Sequence, residues 1–451
     1  MKKTVSFSLL ALLLAATACS NGEKSSQSAE NTPNTGNPPA QESGSKQPEP
    51  EPKKEPVELI FYSQVADYDE TFMDVFGNMI QKKYPHITVK HLKAGSNKLA
   101  DVVATGQQID VLFMSIGQAD TLTTYNYQYD ISEFIKLKNY DLSKLEPSTV
   151  ELQKSFANNG MYGLPVFTNT LGFFYNKDLF DKFGVAYPKD GMTWDEVKEL
   201  ARRLSRTEGE TVYKGLVMSS SANIVLNQYS VAYLDPVTKK SIFTTDQFKK
   251  AFELLTSVAK VPGNELTAQT WSLAAQQNMF FKDQKAAMLL HFVILSLSQL
   301  KDQFNWDIAT YPKLPEKPDV GPQSYPTYFY VTQTSKHKED AFDAIAYLTT
   351  EEFQNHLARR GMLPILKDRV AGLAEFGKEV PILQGKNVKA LIPEKYAPSA
   401  LNKVEIVRGQ SPGHTAFFDA YQNYVLGTKD LNTALREAGE SLDQKLMDLF
   451  K

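Results

Sequence analysis

Cysteine is almost absent from this sequence of 451 residues, because Cys19 is its one occurrence. A chain with one cysteine cannot form an internal disulfide bond, which excludes a small disulfide-stabilised scaffold. An excess of one charge is also missing, since 52 acidic residues face 49 basic ones and the formal net charge is −3. This balance excludes a strongly basic nucleic-acid-binding protein, so we expect no nucleic acid among the partners.

Motifs for catalysis and cofactor binding are missing as well. The sequence contains no GxSxG, Walker A or GxGxxG pattern, and its six histidines form no HExxH motif. We therefore expect a binding protein that performs no catalysis and uses neither a cofactor nor a metal ion. A secreted hydrolase stays open as an alternative, because glycosidases bring paired carboxylates together from distant parts of the chain.

The N-terminal residues have the composition of a secretory signal peptide. Lys2 and Lys3 precede an apolar run at residues 5–14, which is too short to span a bilayer comfortably. Residues 16–19, with the sequence Ala-Thr-Ala-Cys, resemble a bacterial lipobox, in which the cysteine is acylated and becomes the mature N-terminus. The resemblance implies a signal peptide at residues 1–18 and a lipid anchor on Cys19.

The segment that follows has no apolar side chain larger than alanine other than proline. Residues 20–56 contain seven prolines and no Val, Ile, Leu, Met or aromatic residue. Such a segment cannot bury enough apolar surface to offset the entropy that ordering costs. We therefore predict that residues 19–56 form a disordered linker between the lipid anchor and a globular body.

The globular body begins with a regular alternation of strands and helices. Residues 57–62, 87–92 and 109–114 predict strands, and apolar residues at helical spacing between them predict two helices. The β-α-β-α-β order favours a parallel sheet with right-handed crossovers, in which ligands bind at the carboxyl ends of the strands. The loops after the first and third strands are therefore the first candidate sites.

Several ordered segments resemble the extracellular solute-binding proteins of ABC importers, the family that includes maltose-binding protein. The longest covers residues 161–180, with the sequence MYGLPVFTNTLGFFYNKDLF. Shorter matches follow in the family's order at residues 183–185 with Pro188, and at residues 193–196, 281–288, 335–341, 348–352 and 361–364. Together they cover most of residues 57–451.

The resemblance implies an α/β fold of the type II periplasmic-binding-protein class. Two lobes, each a mixed sheet flanked by helices, are joined by a hinge and close around a solute. We expect residues 57–167 and 333–388 in the first lobe and residues 168–332 and 389–451 in the second. The resemblance also implies a monomer that is anchored at the extracellular or periplasmic face of the membrane and passes a small-molecule solute to an ABC transporter permease.

The ligand-binding residues are expected at the cleft between the lobes. Sugar-binding members commonly stack a sugar on the tryptophan of a Gly-Pro-Trp segment, and residues 289–294 lack that segment. His291 or Phe292 is the expected substitute, because aromatic faces pack against the C–H faces of sugars, although His291 also suits a core position. The other candidates are Ser63, Gln64, Asp67, Asp110, Ser115, Asn169, Trp271, Tyr325, Tyr328 and Tyr330.

A neutral sugar or oligosaccharide is the leading ligand class. Polar residues such as Gln64 offer the hydrogen bonds that hydroxyl groups need. Asp67 and Asp110 would also suit a cationic polyamine, and a peptide stays open. A sensor subunit that presents its ligand to a membrane kinase is a further alternative.

Overall fold

The computed structural model describes residues 54–65, 68–95, 98–301, 303–368 and 370–450. The predicted signal peptide, Cys19 and the linker up to residue 53 lie outside the described residues. Lys54 falls inside the predicted linker, but its Nζ lies 2.9 Å from the Asp340 carboxylate and 3.0 Å from that of Asp343. The predicted linker end is therefore wrong by a few residues, because this ion pair attaches Lys54 to the folded body.

The strands of the described residues form two five-stranded sheets and one two-stranded sheet. They are β1 (Val57–Ser63), β2 (Ile87–Leu92), β3 (Val111–Ser115), β4 (Gly163–Phe167), β5 (Leu171–Asn176), β6 (Arg206–Glu208), β7 (Thr211–Met218), β8 (Ala286–Phe292), β9 (Trp306–Ala309), β10 (Val320–Gln323), β11 (Thr327–Val331) and β12 (Lys395–Ala397).

The helices cover the faces of both large sheets. They are α1 (Asn78–Lys83), α2 (Leu99–Ala104), α3 (Asp120–Thr124), α4 (Ser132–Leu137), α5 (Pro147–Phe156), α6 (Lys177–Phe183), α7 (Trp194–Leu204), α8 (Ser220–Val225), α9 (Asp246–Ser257), α10 (Leu273–Phe281), α11 (Val293–Gln299), α12 (Lys338–Tyr347), α13 (Glu351–Arg359), α14 (Val370–Glu375), α15 (Val404–Arg408), α16 (Gln410–Val425) and α17 (Leu431–Leu449). A π-helical turn, Met73–Gly77, leads directly into α1. Among the described residues, no helix is both long enough and apolar enough to cross a membrane.

Local sequence signals begin several of these helices. Thr193 and Glu196 form a reciprocal capping box at the start of α7, which satisfies backbone N–H groups that the first helical turn leaves unpaired. Asn176 caps α6 by accepting a hydrogen bond from the amide of Leu179. Short polar residues at these positions therefore end the preceding strand or loop and start the helix.

The first large sheet has the strand order β2-β1-β3-β11-β4. β1 pairs in parallel with β2 and β3, as the β-α-β-α-β pattern predicts. β11 runs antiparallel between β3 and β4, with Thr327 opposite Ser115 and Val331 opposite Val111. The prediction that places residues 327–331 in the second lobe is therefore wrong, because backbone hydrogen bonds on both sides hold β11 in the first sheet.

The second large sheet has the order β6-β7-β8-β5-β9. β8 is antiparallel to β5, with Leu171 opposite Phe292, and β7 runs parallel to β8. The chain crosses from the first sheet to the second through residues 168–170 and returns through residues 324–326. The carboxyl ends of β1, β3 and β4 in one sheet, and of β7 and β8 in the other, consequently face the crossing segments.

Each face of the first sheet has its own packing partners. Phe61, Phe113 and Phe329 lie on one face in a fully buried aromatic cluster with Phe72 and Phe76. Close packing of these rings joins β1, β3 and β11 to the segment that leads into α1. The other face packs into the larger core that includes residues of α5.

Candidate functional site at the cleft between the two sheets

A cavity of about 460 Å³ lies where the strand ends of the two large sheets meet. Gly117, just after β3, lines it from the first sheet, and Phe292, at the end of β8, lines it from the second. Tyr325, in the returning crossing, lies between them. The cavity therefore sits at the carboxyl ends of the strands, where α/β sheets place their ligands.

Tyr325 connects the two sheets at this cavity. Its ring centroid lies 5.5 Å from that of Phe292, and its hydroxyl lies beside the Ser115 side chain and the Gly117 backbone. A Cβ atom added at Gly117 would lie 1.9 Å from the Tyr325 hydroxyl oxygen. Glycine is therefore required at position 117 for Tyr325 to hold this position.

Two helices supply the remaining walls of the cavity. Ser221, Ala222 and Val225 come from α8, which follows β7. The other residues belong to the first turns of α16 and are Gln410, Ser411, His414, Thr415 and Phe418.

Among the described residues, the walls of the cavity carry no acidic or basic side chain apart from His414. Burial lowers the pKa of His414 below its usual value, so this imidazole is neutral at neutral pH. Its Nδ1 lies 2.8 Å from the hydroxyl of Tyr233. A neutral cavity of this kind suits an uncharged ligand, because a buried charge needs a partner of the opposite sign.

Unpartnered polar atoms concentrate at the same edge of the two sheets. Among the described residues, five buried side-chain nitrogen or oxygen atoms lack a hydrogen-bond partner. Three of them are Gln64 Oε1 directly after β1, Ser220 Oγ just after β7, and His291 Nδ1 near the end of β8. Because buried polar groups are normally paired, these atoms indicate hydrogen-bonding capacity that the fold itself does not use.

The polar candidates of the first lobe lie at this edge, but their contacts differ. Ser63 is fully buried and its Oγ bonds to the backbone of Val65, so it closes the turn after β1. Gln64 donates from Nε2 to Thr121 at 3.3 Å and keeps its Oε1 free. Ser115 donates to Gln118 at 3.3 Å. Asp67 lies outside the described residues.

Asn169 lies in the crossing between β4 and β5 and holds three segments together. Its Oδ1 accepts hydrogen bonds from the amides of Thr170 and Ile294. Its backbone exchanges two hydrogen bonds with the backbone of Tyr325. With Oδ1 committed to the protein, Asn169 organises the hinge and positions Tyr325.

The carboxylate of Asp110, a predicted ligand-binding residue, forms its hydrogen bonds within the fold. Asp110 precedes β3 and therefore lies at the amino edge of the sheet, away from the cavity. Its carboxylate is fully buried and accepts hydrogen bonds from the Ile60 amide, Gln108 and Ser335 at 2.9, 2.8 and 2.6 Å. These three donors stabilise the charge within the fold and leave it unavailable to a ligand.

Tyr328 and Tyr330, which the sequence also predicts as ligand-binding residues, do not line the cavity. They share a face of β11, as alternation predicts, and both side chains are fully buried. The Tyr328 hydroxyl donates to the Thr149 carbonyl at 2.6 Å, and the Tyr330 hydroxyl accepts from Gln153 at 3.4 Å. Both partners belong to α5, which covers this face of the sheet.

His291 and Trp271, two predicted ligand-binding residues of the second lobe, differ in solvent exposure. His291 is 1 % exposed, its Nε2 lies 2.9 Å from Gln277 Nε2, and burial lowers its pKa to about 4. It is therefore a neutral core histidine whose ring offers no open face for stacking. Trp271 is partly exposed beside α10, and its carbonyl accepts a hydrogen bond from Gln276, which also contacts the amide of Met218.

The sequence predictions missed the contribution of α16 to the cavity. No local pattern marks Gln410 or His414 as a site residue, since α16 reaches the cavity through its packing against α8. Phe292 and Tyr325, two of the predicted ligand-binding residues, line the cavity, and Gly117 lies in the loop after β3 that strand order indicates.

Comparison with known proteins identifies related chains. The family model described as "Bacterial extracellular solute-binding protein" matches residues 62–355. A multiple sugar-binding protein of Streptococcus mutans is 22% identical over 322 residues, which cover 66% of this chain and 72% of the relative.

Solved structures show the same fold. A sugar transporter of Rhizobium etli in an open conformation superposes with a TM-score of 0.69 at 21% identity, covering 86% of this chain and 99% of that one. An ABC substrate-binding protein of Listeria monocytogenes in complex with cycloalternan gives a TM-score of 0.66 at 17% identity, covering 87% and 99%. Both correspond to two-lobed folds, and the family-model match spans more than half of the chain. The protein therefore belongs to the family of bacterial extracellular solute-binding proteins, whose members are receptors and not enzymes.

Proposed function

We propose that the protein is a lipid-anchored extracellular receptor that binds a neutral sugar or oligosaccharide in the cavity between its lobes and delivers it to an ABC transporter permease. The observation that carries the proposal is the cavity of about 460 Å³, which both sheets line and to which the described residues contribute no acidic, lysine or arginine side chain. Its volume lies in the usual range for small-molecule sites.

The surfaces of the cavity suit a sugar. Phe292 and Phe418 supply aromatic faces for the C–H faces of a pyranose. Ser221, Gln410 and Thr415 supply polar groups for its hydroxyls. The unpartnered atoms at the strand ends add further hydrogen-bonding capacity nearby.

The charge of the cavity argues against a polyamine. A cationic ligand would need carboxylates, and Asp110, one of the two that the sequence suggested, is committed to Ile60, Gln108 and Ser335. The Streptococcus mutans relative, which is a multiple sugar-binding protein, and the Listeria protein in complex with cycloalternan support a carbohydrate ligand.

A calorimetric and thermal-shift screen of the full chain tests the ligand class. Neutral mono- and oligosaccharides, spermidine and short peptides are titrated separately, since a ligand that binds only the folded state raises the melting temperature. We expect saturable binding of one sugar. Phe292→Ala should weaken it at least about tenfold, as the loss of an aromatic anchor does.

Tyr328→Phe is the matched control for that screen. It removes a buried hydroxyl from an aromatic residue outside the cavity, so it should lower stability and leave sugar affinity unchanged. Binding of spermidine or a peptide with no response to any sugar would refute the carbohydrate proposal while leaving the receptor fold intact.

Anchoring and delivery need separate experiments. In cells, Cys19→Ser should release the protein from the membrane fraction into the medium or periplasm, because acylation requires the cysteine thiol. Uptake of the labelled sugar should fall in a strain that lacks the protein. Unchanged membrane association of the serine variant would contradict the anchor, and unchanged uptake would contradict delivery.

A further inference from the structure

We propose that Tyr233 is a positioning residue for the ligand site, which holds His414 as a neutral imidazole with its Nε2–H directed to the cavity. His414 then donates a hydrogen bond to an oxygen atom of the ligand. The inference rests on the proposed role of the cavity as a sugar site and names one hydrogen-bond donor of that site.

The side chain of Tyr233 packs closely against the first turn of α16. The residue is 3 % exposed, and a Cβ atom added at Gly413 would lie 2.3 Å from its Cδ2. The next residue, Leu234, packs in the same way on Gly409, where an added Cβ would lie 1.9 Å from its Cδ2. These two glycines, one helical turn apart, let residues 233 and 234 fit closely against the helix that carries His414.

The hydrogen bond between Tyr233 and His414 has a preferred direction. The Tyr233 hydroxyl oxygen lies 2.8 Å from Nδ1 of His414, and the ring centroids are 5.3 Å apart. Among the contacts of the described residues, Nδ1 is the one acceptor for this buried hydroxyl. If Nδ1 carried a proton, the hydroxyl proton would be left buried without an acceptor, which costs free energy.

The tautomer of His414 follows from that direction. Tyr233 donates, Nδ1 accepts, and the imidazole proton resides on Nε2. Because Nδ1 is bonded to Tyr233 on the core side and the ring lines the cavity, the Nε2–H is the group left for a ligand. Such a donor pairs with a hydroxyl or ether oxygen.

The surroundings keep this donor neutral. The titratable groups that face His414 are Tyr233 in the core and Tyr325 across the cavity. The α8 residues opposite it are uncharged. Two charged residues lie on the elements that surround His414. Arg408, at the end of α15, donates a hydrogen bond to Thr123 at 3.5 Å, and Asp419 on α16 is exposed to solvent. Among the described residues, no carboxylate contacts the ring in a way that would favour an imidazolium.

Nitrogen NMR of the full chain labelled on histidine tests the tautomer without any ligand. The His414 signals are assigned by their loss in His414→Phe. We expect an unprotonated Nδ1 and a protonated Nε2 at neutral pH, and a mixture of tautomers in Tyr233→Phe. A protonated Nδ1 in the unmodified protein would overturn the proposal.

A double-mutant cycle tests the effect on binding of the sugar found in the screen. His414→Phe keeps an aromatic ring, removes the donor and should weaken binding about fivefold to tenfold. Tyr233→Phe should weaken it about threefold, and the double variant should bind no worse than His414→Phe, because Tyr233 acts through His414.

Tyr328→Phe is again the control, since it removes a buried hydroxyl that bonds to Thr149. It should change neither the His414 signals nor the affinity. Additive losses in the cycle would overturn the positioning role. If no sugar binds, the proposed function fails in the screen, and the NMR experiment still decides the tautomer.

Discussion

The two edges of the first sheet use buried polar side chains in opposite ways. At the amino edge, the Asp110 carboxylate accepts three hydrogen bonds from the protein. At the carboxyl edge, Gln64 keeps a buried Oε1 without a partner, and Tyr325 holds an aromatic ring at the cavity. The difference teaches that polar groups with partners stabilise the fold, whereas those without partners at the cleft leave hydrogen-bonding capacity that the fold does not use. Variants at the amino edge should therefore change stability, and variants at the carboxyl edge should change binding.

The largest effect is expected for Asp110→Ala at the amino edge. Removing the carboxylate leaves the Ile60 amide and the Ser335 hydroxyl buried without this acceptor, so the free energy of unfolding should fall by about 3 to 5 kcal/mol. Urea denaturation measures the loss. Asp110→Asn, which keeps one acceptor oxygen, should lose less. A stable Asp110→Ala protein that no longer binds its ligand would reverse our comparison of the two edges.

His291 sharpens the comparison, because it lies at the ligand edge and is nevertheless buried. Its pKa falls to about 4 in the folded protein, against about 6.5 when unfolded. The unfolded state therefore binds more protons between these values, and the free energy of unfolding should fall by about 3 kcal/mol as pH drops from 6.5 to 4.

Chemical denaturation at several pH values measures that dependence. His291→Gln lacks the titrating group, so its free energy of unfolding should depend less on pH over the same range. Equal slopes for the two proteins would show that His291 is protonated as easily in the folded state as in the unfolded state.

A smaller effect is expected for Gly117→Ala at the carboxyl edge. The new Cβ would displace the Tyr325 hydroxyl, which lies 1.9 Å from its position, so ligand affinity should fall about tenfold, equivalent to about 1.4 kcal/mol. Calorimetry with the sugar found in the screen measures the change. Tyr325→Phe removes the clashing oxygen, so Gly117→Ala should cost less affinity in that background. An equal loss in both backgrounds would show that Tyr325 does not transmit the effect.

The smallest effect is expected for Gln64→Ala, and Gln128→Ala is its matched control. Both glutamines have a buried Oε1 without a partner, but only Gln64 follows a strand at the cleft. Gln64→Ala should weaken binding about threefold and change the free energy of unfolding by at most about 0.5 kcal/mol. Gln128→Ala should leave affinity unchanged. Equal losses of affinity for both variants would break the distinction between the edges.

Local patterns predicted much of the fold. The strands β1, β2 and β3 appear close to their predicted bounds, and the Thr193 capping box that starts α7 is also visible in the sequence. These elements depend on side-chain periodicity and on hydrogen bonds between residues a few positions apart, which a sequence displays directly. The ordered family segments likewise indicated the two-lobed architecture.

The candidate site was only partly predictable. Strand order indicated the loop with Gly117, and the missing Gly-Pro-Trp segment directed attention to Phe292. Alternation placed Tyr328 and Tyr330 on one face, but it could not show that α5 covers this face. A carboxylate such as Asp110 has the same appearance in a sequence whether its partner is a ligand or Ser335.

The amino-acid sequence by itself determined the class of protein, the order of its elements and the edge of the sheets at which the cavity lies. Which side chains meet at that edge depended on the tertiary structure. Tyr233 and His414 are 181 residues apart in the chain and 2.8 Å apart in the fold. Such a contact results from the packing of whole helices and loops against one another, and no local periodicity records it.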